Sequence, residues 1–338
     1  MECPFIRIFS RNIYSFFPER KKLQTHIISD SLRWNNFKKA MGTFAGHVVP
    51  GTYLALTATW WIVELLLRYH QSKRKGIEFR SFSNFKCRCL CGRLKNYEVD
   101  GACKFIFSLL LLIVEISQGF VGGKFVYYSN GQHATIFFII GLSGALDLAR
   151  HHKFPVPEEI TYIMYIIFLS VEWVLFKNHL HGRNKIDVLI HSLILYVIFL
   201  NIVAVIAEMC YRNSMLIAIA RCFLFMFQGV WFIVVGFVLF NPLWKPDWDP
   251  ENHDHFMLAT MMFTWVLLVL FCFIILLNCI VSACVNKSTD NAYRRLVSEE
   301  ITSLNTEKKS PAHSINMQDV QDDNDDFEFQ PQRNIDNM

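Results

Sequence analysis

The sequence predicts an all-α, polytopic membrane protein of seven transmembrane helices, with its N-terminus lumenal or extracellular and its C-terminus cytosolic. Three observations predict it. The 338-residue chain is 53% hydrophobic and 15% aromatic, too apolar for the surface of an ordinary water-soluble domain. Its apolar residues collect in seven runs, most of them close to the ~20 residues that cross a hydrocarbon core as a helix. Lys and Arg collect beside the runs on one side, the charge asymmetry that orients membrane helices.

Residues 1–40 are basic and aromatic, with Arg7, Arg11, Arg20, Lys21, Lys22, Arg33, Lys38 and Lys39. They hold no apolar run long enough for a signal-peptide core and read as a poorly ordered extension. Met41 is a second candidate start and opens the helical body, residues 41–285. The runs lie near 46–69, 102–122, 133–150, 158–177, 188–210, 214–240 and 257–285. Helix is the expected form because a segment in lipid must satisfy its own backbone, and the charged loops are too few and too long for a barrel. Residues 286–338 are polar, end acidic and lack apolar periodicity, so they read as a disordered cytosolic tail.

Orientation follows from the flanks. Between the first two runs stand Arg68, Lys73, Arg74, Lys75, Arg80, Lys86, Arg88, Arg93, Lys95 and Lys104, and Lys287, Arg294 and Arg295 follow the last run. The other side carries Lys124, Lys177, Arg183, Lys185 and Lys245. The bias puts the C-terminus in the cytosol. The basic residues before Met41 oppose it, unless translation begins there. Membrane topology accounts for this charge, so lipid is the expected partner and nucleic acid is not.

Threading the runs alternately gathers His47, Glu115, His133, Glu172, His179, His181, Asp187 and His191 on the outer side. Asp187 and His191 are four apart and share a helical face. Carboxylates beside imidazoles are the usual second shell of a zinc site, so Zn²⁺ or a similar ion is one reading, with His47, Glu115, His133, His179, His181, Asp187 and His191 as ligands. Interfacial histidines, part apolar and part wet, are the other. No compact ligand motif such as His-Glu-x-x-His is present. An inner layer holds Glu64, Asp147, Glu208 and Arg221, where pairing of Arg221 with Glu208 or Asp147 is expected because a lone charge in the hydrocarbon core costs ~2.5–3.5 kcal/mol.

Cys87, Cys89 and Cys91 lie in the basic loop after the first run, where reversible palmitoylation is the functional reading and unmodified thiols the plain one. Tyr293-Arg-Arg-Leu296 has the tyrosine-x-x-bulky form read by sorting adaptors, a pattern short enough to arise by chance.

Two stretches, Phe44-Ala-Gly-His-Val-Val-Pro-Gly51 and His179-Leu-His-Gly-Arg-Asn-Lys-Ile-Asp-Val-Leu-Ile-His191, resemble the transmembrane protein 45 family, and within it the transmembrane epididymal protein branch. The resemblance covers about residues 41–285. It implies seven spans and a place in the secretory pathway, Golgi or endosomal, or in the plasma membrane, with no established biochemical activity. It marks His47, Pro50, His179, His181, Asp187 and His191 as motif positions without assigned roles. The extension before Met41 departs from the family pattern.

Three functions follow as expectations. The first is a zinc-dependent hydrolase of a lipid or lumenal substrate, with Glu172 as the base that activates metal-bound water. The second is a proton or divalent-ion transporter or channel working between the two polar layers. The third is a membrane scaffold or trafficking protein without catalysis.

Overall fold

The computed structural model describes the backbone of residues 18–83, 97–180, 182–241, 243 and 248–309, and among them the side chains from 44 to 287. Within the described residues seven helices follow one another: α1 Pro18–Lys75, α2 Val99–Gly119, α3 Tyr128–His151, α4 Ile160–His179, α5 Lys185–Cys210, α6 Met215–Phe240 and α7 His253–Lys309. A two-residue hairpin, β1 Phe120–Val121 and β2 Lys124–Phe125, joins α2 to α3.

Local chemistry sets the boundaries. The apolar run at 102–122 gives a helix that stops at Gly119, because Gly122 and Gly123 both adopt positive φ, the conformation a two-residue hairpin turn requires. A Cβ on Gly119 would lie 2.2 Å from the Phe125 ring, so the hairpin folds back only over a glycine. The Asn184 side chain caps α5 by accepting from the Asp187 N–H at 2.8 Å, and Ser214 does the same for α6.

Two helices extend beyond the apolar runs. Helix α1 begins at Pro18, inside the stretch read as an extension. Helix α7 continues to Lys309, through residues read as a disordered tail. Extending a formed helix adds one hydrogen bond per residue with no new nucleation. No Gly or Pro interrupts 253–309, and Pro311 lies just beyond. The body up to Asn286 is one compact unit, and the residues from Lys287 belong to another.

Among the described residues five helices are long and apolar enough to cross a membrane: α3, α4, α5, α6 and the part of α7 from His253 to Lys287. Large apolar side chains face outward along α2 (Ile106, Leu110, Ile113) and α7 (Trp265, Val269, Leu276). A soluble monomer does not present surfaces of this kind. The protein is a multi-pass integral membrane protein. Its core lies among α1, α4, α5 and α6, around Trp61, Leu65, Leu169, Ile190, Ile198 and Trp231.

Two glycine contacts position the polar residues. On α1 and α6, a Cβ at Gly229 would lie 2.5 Å from the Ala55 amide nitrogen, and one at Gly51 would lie 2.7 Å from the Gly229 carbonyl. On α2 and α3, a Cβ at Gly144 would lie 2.6 Å from the Phe105 amide nitrogen. Small residues that let backbones touch are the usual adhesive of helices in lipid. Here they bring His47 beside α5 and Lys104 beside Asp147.

Candidate functional site

The outer polar residues form a chain built around Arg183. Its guanidinium lies 2.5 Å from His179 Nε2 and donates to both Asp187 oxygens at 3.0 and 3.1 Å. Asp187 Oδ1 in turn stands 2.7 Å from His191 Nδ1, and the His191 ring is 5.7 Å from that of His47. In the other direction His179 Nδ1 meets Gln132 at 3.0 Å, and its ring lies 6.0 Å from His133, whose Nδ1 is 3.3 Å from Glu115. Asn130 donates to the second Glu115 oxygen at 2.7 Å. These contacts link His47, Glu115, His133, His179, Asp187 and His191 at one end of the bundle. His181 lies outside the described residues.

These residues do not form a metal cage. Among the described residues no group of three His, Cys, Asp or Glu side chains could hold a metal ion. Arginine has no lone pair, so His179 Nε2 must accept from it and Nδ1 must donate to Gln132. Both nitrogens are then committed. Asp187 is divided between Arg183 and His191, and the Arg183 cation occupies the space a metal would need. As arranged, the described residues of this set do not offer a zinc ion three free ligands.

Glu172, read as a base, stands apart from the histidines. It is buried on α4, two turns or roughly 10 Å below His179, and both of its oxygens lie 2.8 Å from the Gln228 amide nitrogen. Seven residues are about two turns, so Glu172 and His179 share a face of α4, but depth along the axis separates the two.

The inner layer is two ion-pair clusters. Arg221 binds Glu208 through Nε and, at 3.3 Å, through Nη2, and Tyr162 donates to Glu208 at 3.2 Å. The expected Glu208–Arg221 pair is present. Asp147 instead pairs with Lys104 at 2.5 Å, and Lys104 also binds Asp100 at 2.9 Å. Thr161 donates to Asp147 at 2.9 Å and Trp61 to Asp100 at 3.0 Å. Glu64 is buried one turn after Trp61. Lys104 had been counted as a loop charge, yet it lies buried in α2. Asp100, Lys104 and Arg183 were missed as site residues, although two spacings of four signalled them: Asp100 to Lys104, and His179 through Arg183 and Asp187 to His191.

Between the layers two polar side chains remain. Asn201 on α5 is fully buried and its amide makes no hydrogen bond within the described residues, and the buried Tyr165 hydroxyl on α4 makes none either. A cavity of about 30 Å³ lies beside Tyr165 and Lys104. Cys87, Cys89 and Cys91 are outside the described residues. Tyr293 and Leu296 fall on the backbone of α7, and their side chains are outside the description.

Residues 158–279, from the start of α4 into α7, match the Family of unknown function (DUF716). That stretch holds Glu172, the chain from His179 to His191, and the Glu208–Arg221 pair. Transmembrane epididymal protein 1A of Mus musculus is 25% identical over 254 residues, 68% of this chain and 77% of its own length. Transmembrane epididymal protein 1 of Rattus norvegicus is 23% identical over the same shares. The Homo sapiens protein of that name is 24% identical over 192 residues, 53% of this chain and 69% of its own. The chain is a homologue of the transmembrane epididymal proteins. The family match covers the His179–His191 stretch, and similarity to proteins named as transmembrane agrees with the apolar, outward-facing helices.

Proposed function

We propose that the protein crosses the membrane seven times, with the start of α1 outside the cytosol and α7 leading into it, in the secretory pathway or plasma membrane, and that it conducts protons along a polar path inside the bundle. Antiparallel packing supports seven spans. Helix α1 runs beside α6 from Phe44–Phe237 (ring centroids 5.0 Å apart) to Trp61–Phe225 (5.3 Å). Seventeen residues of helix cover roughly 26 Å, close to the hydrocarbon thickness of about 30 Å. Helix α2 lies along α3 from Gly101 beside Asp147 to Glu115 beside His133.

The observation that carries the function is Glu172: an acid buried deep in the bundle whose partner is an amide and not a cation. A charge in that position is costly, and intramembrane acids of this kind mark proton relays. Other rungs extend the path. Asp187 and Asn201 are fourteen residues apart on one face of α5, roughly 21 Å, and Glu208 lies two turns further. Along α4, Tyr165 is two turns beyond Glu172. An amide and a phenol with no protein partner are groups that bound water satisfies, and the cavity beside Tyr165 has room for a water molecule.

The test is proton flux into liposomes holding the purified full-length protein, driven by a pH gradient and read with an entrapped pH-sensitive dye. Wild type should collapse the gradient faster than protein-free liposomes, and Glu172→Gln should fall to the protein-free rate while keeping the wild-type melting profile. A wild type as silent as empty liposomes between pH 5 and 8 would overturn the proposal.

A further inference from the structure

A second cavity lies at the end of the bundle away from His47, His179 and His191. It measures about 730 Å³ and lies where α1 ends, where residues 77–83 turn back under the bundle, and where α3, α4 and α5 meet that turn. Its volume falls within the range of small-molecule sites, about 300–1,000 Å³. Arg68, Lys75, Arg80, Arg150 and Arg212 line it, against the carboxylates of Glu78, Glu98 and Glu158.

Arg212 is already paired, with Glu158 inside the cavity and with Glu159 at 3.5 Å, while Arg68, Lys75, Arg80 and Arg150 complete the basic lining. Glu158 lies 3.6 Å from Arg212, and Glu78 accepts from Asn213 at 2.6 Å. The arginines are held by stacking as well as by charge: Arg68 lies 4.2 Å above the Phe82 ring and Arg212 5.0 Å above that of Tyr162. Stacking fixes the plane of a guanidinium, so less entropy is lost when its N–H groups meet an anion. The turn that closes the cavity is pinned, since the Ser81 N–H donates to the Arg212 carbonyl at 2.7 Å. Lys75 and Arg80 are exposed at its edge, as are the apolar Ile77 and Phe82.

We propose that this cavity is a binding site for a multiply charged phosphoester anion. The chemistry required is several phosphate oxygens on a compact polyol-sized core, met by guanidinium forks and two lysine or arginine side chains at the mouth. Basic pockets between helix ends at the headgroup level take phosphorylated lipid headgroups, and a soluble phosphoester presents the same oxygens. Exposed Ile77 and Phe82 offer an apolar flank that only the lipid form would use.

The experiment uses the full chain in three arms: phosphatidylcholine vesicles, the same vesicles doped with phosphatidylinositol bisphosphate, and vesicles of phosphatidylcholine with soluble inositol trisphosphate added. Binding is read as a rise in the unfolding midpoint that grows with ligand concentration, at about 0.15 M salt so that unspecific surface attraction is screened. A rise in the second arm alone assigns the lipid headgroup, and a rise in the third assigns the soluble anion. Lys75→Gln with Arg80→Gln should weaken the effect about tenfold or more, whereas Lys73→Gln with Lys153→Gln removes equal charge outside the cavity and should leave it in place. No shift in any arm, or equal weakening by both double variants, overturns the proposal.

Discussion

At the scale of single residues, Lys104 is the side chain on which most depends. It is buried between Asp100 and Asp147, and Trp61 and Thr161 donate to the remaining oxygens. Removing one partner of a buried charge cluster leaves uncompensated charge, which costs more than the cluster contributes as a whole. Lys104→Met should therefore destabilise the folded protein by about 3–5 kcal/mol, while Lys104→Met combined with Asp100→Asn and Asp147→Asn should recover most of that loss. Denaturant unfolding in detergent checks both, and equal stability of the single and triple variants would contradict the assignment. The sequence hid this residue because topology counting weighs each cation by its distance from an apolar run and ignores what it faces. Arg183 was counted on the outer side, where it stands, but its contacts with His179 and Asp187 were missed for the same reason. The gathering of His47, Glu115, His133, His179, Asp187 and His191 was legible, since alternation of the runs fixes which end of the bundle each occupies. Which of them touch was not, because rotation and depth of each helix are set by packing.

At the scale of elements, the packing of α1 on α6 holds the outer chain together, and it rests on Gly51 and Gly229. A Cβ at Gly229 would press on the α1 backbone itself, which cannot move aside as a flexible side chain would. Gly229→Val should force the helices apart, cost about 1–3 kcal/mol or more and separate His47 from His191. Gly46→Ala on α1 meets nothing within 4 Å and should be neutral. Melting temperature and monodispersity of the two variants read the difference; matching values would mean the close approach is not a real constraint. Most helices were legible to within a few residues, because a lipid-crossing segment announces itself by length and hydropathy. The ends were legible only where local chemistry speaks. Gly122-Gly123 turns the chain after α2, but apolar content alone carried the expected helix past Gly119, and it gave no sign that α7 continues through polar residues to Lys309.

At the scale of the whole molecule, the question that governs the proposed path is whether α1 and α2 cross the membrane with the five helices whose length and hydropathy already qualify. Their charged ends and central polar residues lower their apparent hydropathy, yet those same residues face partners on α3, α4 and α6 and not lipid. With seven spans, Gly76 and Lys153 lie on the cytosolic side and the Gly122–Gly123 turn on the other. With five, and α7 still leading into the cytosol, the turn stays where it was but Gly76 moves to its side. Epitope tags inserted after Gly76, between Gly122 and Gly123, and after Lys153, one per variant, separate the two arrangements in sealed microsomes treated with protease. Seven spans predict loss of the tags after Gly76 and Lys153 and protection of the tag in the turn. Protection of the tag after Gly76 would remove α1 and α2 from the membrane, and with them the outer half of the path, since His47 and Glu115 would no longer stand at the membrane face from which protons enter.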